Sequence, residues 1–135
     1  VERAEVKAMF DRWLEALNRG GRPEGEYEDH HPDCVIEFPQ SGEIFDRDGL
    51  RGMQYEYPGE APRATLKRLT GNGDEWTLEA TLDYGPQRGG LFYSVLTCEF
   101  KDGKIIRDTR YFAERFDAPE GRAKWTKGAE RSEPA

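Results

Sequence analysis

Beyond Pro58-Gly59 the chain carries no helical pattern and continues as four strand-like segments set between turn residues. They run from Ala64 to Thr70, Glu75 to Tyr84, Leu91 to Lys101 and Lys104 to Phe112. Gly71-Asn72-Gly73-Asp74, then Gly85-Pro86 through Gly89-Gly90, then Asp102-Gly103 separate them. Hairpin connections of this kind join neighbouring strands, so the four predict an antiparallel meander. The helical signal lies ahead of them. Val6, Met9, Phe10, Trp13, Leu14 and Leu17 recur at helical spacing and mark one buried stripe. Gly20-Gly21 stops that helix, and Pro23 suits the first turn of a short second helix reaching about His31-Pro32. Asp33 to Phe38 reads as a strand, Pro39 to Gly42 as a turn and Glu43-Ile44-Phe45 as a brief return. Asp46 or Asp48 caps a third helix from Gly49 to Tyr55, which Pro58-Gly59 closes. Helices first and strands later predict an α+β fold, with N-terminal helices packed on an antiparallel sheet.

A chain of 135 residues fits one domain, placed at residues 1–126, with 127–135 as a polar C-terminal tail. In the segment before that tail Phe116, Pro119 and Trp125 are candidate docking anchors. Only 36% of residues are apolar and 35% are charged, so the hydrophobic side chains must concentrate on few faces. A formal charge of −7 repels phosphate backbones and acidic lipid, which argues against nucleic-acid and membrane partners. No run approaches the ~20 apolar residues of a membrane helix, and Val1-Glu2-Arg3 leads straight into helical pattern without a signal-peptide core. A cytoplasmic protein is expected. Cys34 and Cys98 lack a CxxC or Cys/His comb, so two buried reduced thiols are expected and no metal.

The Asp102-Gly103 turn permits two registers. A two-residue turn sets Lys101 opposite Lys104 and Val95 opposite Arg110. A three-residue turn sets Phe100 opposite Lys104, Cys98 opposite Ile106, Leu96 opposite Asp108 and Ser94 opposite Arg110. The second is preferred because it gathers Phe92, Leu96, Cys98, Phe100, Ile106 and Phe112 on one apolar face. It also brings Glu99 and Arg107 into diagonal reach on the other. Asp108 and Arg110 then stand side by side on the apolar face, with Glu79 and Thr81 expected to face them. Charges over an apolar wall are paired, solvated or functional.

The order of elements, with Arg12-Trp13-Leu14-Glu15-Ala16-Leu17-Asn18, Cys34-Val35-Ile36-Glu37-Phe38-Pro39 and Asp102-Gly103-Lys104-Ile105-Ile106 leading to Tyr111-Phe112, resembles a known superfamily. From about Val6 to Phe116 the chain is similar to SnoaL-like members of the nuclear transport factor 2-like (cystatin-like) fold. Relatives include polyketide cyclases, ketosteroid isomerase and limonene epoxide hydrolase. The resemblance implies a curved, cone-shaped antiparallel sheet, a pocket between it and the helices, and a homodimer packed through the outer sheet face; no cofactor is expected. The positions matching the isomerase's tyrosine and two aspartates hold Trp13, Phe38 and Leu96. The position matching the last-strand aspartate of the cyclases and the epoxide hydrolase holds Arg110, and the hydrolase Arg and Asp match Glu79 and Thr81. None of those catalytic sets is intact.

The charged residues admit two readings. In one, Asp108 or Glu79 transfers a proton and Arg110 holds developing negative charge, in the isomerase, cyclase or hydrolase range. In the other, Asp108 and Arg110 are a structural ion pair at one end of the cavity, and Glu79 likewise pairs with Arg110. The domain is then a non-catalytic binding or dimeric interaction module. Trp13, His31, Phe38, Met53, Tyr55, Phe92 and Leu96 are the candidate lining for a small apolar or aromatic ligand. His30 and His31, being adjacent, diverge too far to share a metal ion; packing at a helix end is their plainer role.

Overall fold

The computed structural model describes residues 1–22, 25–57 and 59–128. Helix α1 (Arg3–Asn18) is built on the expected stripe and buries Val6, Met9, Phe10, Trp13 and Ala16. Leu14 and Leu17, expected in the stripe, are half-buried. Gly20, at φ +81°, ends the helix: Gly21 N–H reaches back to the Ala16 carbonyl at 3.0 Å and Gly20 N–H to that of Leu17 at 2.9 Å. Asn18 then clamps the helix end to the sheet, donating to the Ala64 carbonyl at 2.8 Å and accepting from Ala64 N–H at 2.6 Å.

The second helix is shorter than expected. Within the described residues α2 spans Glu26–Asp29, and strand β1 (His30–Phe38) starts at once, so His30, His31 and Pro32 are extended rather than helical. The expected Pro23 start and the Pro58 stop lie outside the described residues. Strand β2 (Glu43–Phe45) returns against β1, and Asp46, not Asp48, caps α3 (Arg47–Glu56) by accepting from Gly49 N–H at 2.7 Å.

Strands β3 (Arg63–Asn72), β4 (Glu75–Asp83), β5 (Leu91–Lys101) and β6 (Lys104–Glu114) form the meander. The six strands lie in the order β2-β1-β6-β5-β4-β3. The expectation of a wholly antiparallel sheet needs one correction: β1 joins β6 in parallel. That pairing is non-local, which is why strand patterns alone could not place it.

Two single-residue bulges shape the inner face, and both reverse the alternation of their strand. In β3 the extra residue falls between Leu66 and Arg68, so Ala64 and Leu69, an odd number of residues apart, are both buried. In β6 the hairpin is a two-residue turn, with Asp102 at φ +53° and Gly103 at φ +78°, pairing Lys101 with Lys104 and Phe100 with Ile105. A bulge then sets Cys98 opposite Asp108, Leu96 opposite Arg110 and Ser94 opposite Phe112. The preferred register is therefore wrong by two residues, although its grouping of Leu96, Cys98, Asp108 and Arg110 on one face stands. Ile105, fully buried, takes the place expected for Ile106. Glu99 and Arg107 face each other directly rather than diagonally.

The main core forms where α1 lies across this face, packing Phe10 and Trp13 with Leu69, Trp76, Leu78, Leu96 and Phe100. A second cluster, Cys34, Ile36 and Leu50 with Phe38, Phe45 and Met53, sits under α3. Phe116 and Trp125, expected as anchors, are 71% and 79% exposed.

Candidate functional site

Between the two apolar clusters the sheet carries a charged network, and its centre is Asp108. Pairing places Asp108 between Cys98 of β5 and Ile36 of β1, with 1% of its surface exposed. Arg110 grips it side-on, Nε donating to Oδ1 at 3.0 Å and Nη2 to Oδ2 at 2.9 Å. The same Nη2 donates to Glu26 Oε1, and Gln54 Nε2 donates to Glu26 Oε2 at 3.0 Å. His30 closes the circuit. Its Nε2 lies 2.7 Å from Asp108 Oδ2 and its Nδ1 lies 2.7 Å from the Glu26 carbonyl oxygen. A carbonyl only accepts, so Nδ1 carries hydrogen, and a further proton is shared along the Nε2 to Oδ2 contact. With that proton the two carboxylates are balanced by the guanidinium, and burial is tolerated.

The elements around the network hold it in place. Trp13 stacks on His30 with ring centroids 5.7 Å apart at 16°, and its Nε1 donates to Asp29 Oδ2 at 2.7 Å. Arg12 also donates to that oxygen at 2.7 Å, so α2 is fastened to the sheet through Glu26 and to α1 through Asp29. Gly25, at φ +76°, opens α2; a Cβ there would stand 2.3 Å from Arg12 Nη1.

Burial by itself pushes the Asp108 carboxyl up, but the charge of Arg110 and the hydrogen bonds from His30 and Arg110 outweigh it and bring the group down to about 2. Burial works against charge on Arg110 as well, and Asp108 and Glu26 together hold its pKa above the ordinary value. Burial, reinforced by the Asp108 charge, raises the thiols of Cys34 and Cys98. Asp108 is thus a shielded carboxylate at neutral pH, and the thiols stay protonated.

Arg110 retains one free edge. Of its five N–H donors, Nε spends one and Nη2 spends two; neither hydrogen of Nη1 has a partner among the described residues. No buried side-chain nitrogen or oxygen among the described residues lacks a partner, so Nη1 is reached by solvent. Because the Nε–Nη2 edge turns to Asp108, the planar guanidinium turns Nη1 away from it. On the same face of the sheet Phe38, Phe92, Ser94 and Phe112, with Met53 of α3, are half-buried. Phe38 packs on Phe45 and Phe112, with centroids 4.9 Å and 5.3 Å apart, and Phe92 meets Tyr84 edge-on at 5.6 Å.

The expected residues therefore divide. Asp108 and Arg110 are brought together, with Trp13 stacked on His30 and Leu96 paired with Arg110 beside them, and Phe38, Met53 and Phe92 are half-buried. Glu79 is not brought there: it pairs with Val95 on the outer face and forms an ion pair with Arg68. Alternation is the reason, since Leu78 and Ala80 of the same strand are the inward residues. Thr81 shares the outer alternation. His31 alternates away from the network and accepts from Asp33 N–H at 3.0 Å, and Tyr55 is 61% exposed beside α2. Sequence reasoning missed His30, Glu26 and Gln54 as members. No regular period could have found His30, because β1 breaks register with β6 between His30 and Val35 and Pro32 is exposed.

Two further observations bear on class. Among the described residues no three His, Cys, Asp or Glu side chains converge as a metal-binding set. No helix among them is long and apolar enough to cross a membrane.

No protein-family profile and no curated protein matches the chain, but solved structures do. A nuclear transport factor 2-like protein of unknown function from Burkholderia xenovorans superposes with a TM-score of 0.78 at 27% identity, over 94% of this chain and 97% of that one. The chain belongs to the nuclear transport factor 2-like superfamily. A Kribbella flavida protein described as a candidate ketosteroid isomerase gives 0.76 at 22% identity over 95% and 92% of the two chains. An LEH-like epoxide hydrolase of M. tuberculosis gives 0.59 at 20%, over 81% and 83%. At those lower identities the likeness is one of fold, which hosts many functions.

Proposed function

We propose that this nuclear transport factor 2-like chain binds a small, largely apolar molecule at the open end of its inner sheet face. Arg110 Nη1 holds one acceptor oxygen of that molecule, such as a carbonyl or enolate oxygen. The observation that carries this is the donor account of Arg110: a guanidinium fixed on two carboxylates, with one solvent-reached edge turned away from Asp108, on a sheet face that also bears half-buried aromatic side chains. Asp108, His30 and Glu26 are positioning residues in this reading. Proton transfer by Asp108 is disfavoured because all but 1% of it is covered and its carboxyl titrates near about 2. Arg110 supplies electrostatic stabilisation to any chemistry done here.

A matched pair of probes tests it: phenyl cyclohexyl ketone against cyclohexylbenzene, titrated by calorimetry, with the carbonyl stretch of the bound ketone read by infrared difference. The ketone is expected to bind about tenfold or more tighter, as one charge-assisted hydrogen bond implies, with its stretch moved to lower frequency. Equal affinities and an unmoved stretch refute the role of Arg110; binding of neither probe refutes the pocket.

The outer face favours a second copy of the chain as partner. Val35, Ile44, Tyr93 and Tyr111 alternate outward from adjoining strands and are 50%, 68%, 42% and 43% exposed. One patch meeting itself across a two-fold axis covers such a face on both copies.

A further inference from the structure

A different cleft, of about 200 Å³, lies between α2 and α3, and its chemistry is unlike that of the sheet end. Three arginines, Arg22, Arg47 and Arg51, line it together with Tyr27 and Tyr55, in a chain whose formal charge is −7. Each arginine is positioned by groups that leave donors unspent. The guanidinium carbons of Arg47 and Arg51 lie 4.3 Å and 4.8 Å from the centroid of the Tyr27 ring, contacts that hold both cations without spending a hydrogen bond on a side chain. Arg47 also donates from Nη1 to the His30 carbonyl at 3.3 Å. Arg22 spends Nε on the Gln54 carbonyl at 2.9 Å and Nη2 on that of Tyr55 at 3.0 Å, leaving Nη1.

The carboxylates nearby do not satisfy them. Glu26 is committed to Arg110 and Gln54, Asp48 takes the Tyr27 hydroxyl, and Glu28 at the rim is exposed. Among the described residues none of the three arginines forms an ion pair, whereas Arg12, Arg68 and Arg110 each do. Three held cations with unspent donors around one small concavity match a group bearing several acceptor oxygens.

We propose that this cleft is a second ligand site, taking a phosphate or carboxylate group of a small molecule on Arg22, Arg47 and Arg51. The site does not depend on the Arg110 pocket.

Inorganic phosphate is the probe, with acetate as the carboxylate arm and chloride at matched ionic strength as the control. The readout is the amide and arginine Nε resonances of the folded chain. Phosphate or acetate is expected to give saturable shifts confined to residues 25–28 and 47–55 and to the three arginine Nε groups. Which of the two saturates at lower concentration identifies the group. Arg51→Gln removes an exposed side chain with no hydrogen bond among the described residues, so the fold is expected to persist while affinity falls about tenfold or more. Arg47→Gln is expected to act the same way. Shifts that chloride reproduces, that fail to saturate, or that saturate unchanged in Arg51→Gln overturn the proposal.

Discussion

Asp108 shows how one side chain sets the character of a site. On a strand of a sheet, a carboxylate two residues from an arginine is compatible with acid–base chemistry or with a structural pair; His30 decides between them by covering the remaining side. Because the folded carboxyl titrates at about 2 against a reference of 3.8, its stabilising contribution is complete above about pH 4 and is lost as pH falls toward 2. Urea unfolding over that window should show a loss on the order of 2 kcal/mol from this group. Asp108→Asn should lack that component and lose about 3–5 kcal/mol at neutral pH, the cost of leaving Arg110 and His30 facing a neutral amide. An Asp108→Asn protein as stable as the parent would contradict the network.

At the scale of elements, the helices are fixed by few contacts, and each has a point where it can be released. Gly25 opens α2 in a left-handed conformation with Arg12 against it, so Gly25→Ala should cost about 1 kcal/mol or more and weaken the Arg12 to Asp29 pairing. Amide exchange should show faster opening of residues 26–29 while the strands keep their protection. Asp46→Ala removes the single side-chain cap of α3 and should cost about 1 kcal/mol, read as a lower melting temperature with the sheet unaltered. Both the α1 stripe and the meander were legible because periodicity is a local property. The bulges were not: the residue that slips out of the ladder is chosen by which isoleucine or leucine the core accepts. Ile105 and Leu69 fill the inner face only because Ile106 and Lys67 are passed over.

For the whole molecule, the sheet presents two faces with opposite tasks. The inner face carries the main core under α1 and, toward its other end, the half-buried Phe92 and Phe112. The outer face carries Tyr93 and Tyr111 near the Arg68 to Glu79 pair, with the facing Glu99 and Arg107 further along the same two strands. If that face joins two copies, a Tyr93→Glu, Tyr111→Glu double variant should elute as a monomer and keep its far-ultraviolet dichroism. Light scattering of the parent as a monomer at micromolar concentration would remove the dimer from consideration.

The sequence by itself determined that helices precede a meander, that α1 buries one stripe, and that Leu96, Cys98, Asp108 and Arg110 share a face. Those features rest on repeats of 3.6 and 2.0 residues, which each segment carries within itself. Only the tertiary structure decided that β1 runs parallel to β6 and that Glu79 faces outward. It also decided that His30 and Glu26, which lie 78 and 84 residues along the chain from their partners Asp108 and Arg110, complete the charged network. These are choices among pairings that local pattern leaves equal in energy, settled by which arrangement covers the apolar stripe while leaving no buried charge alone.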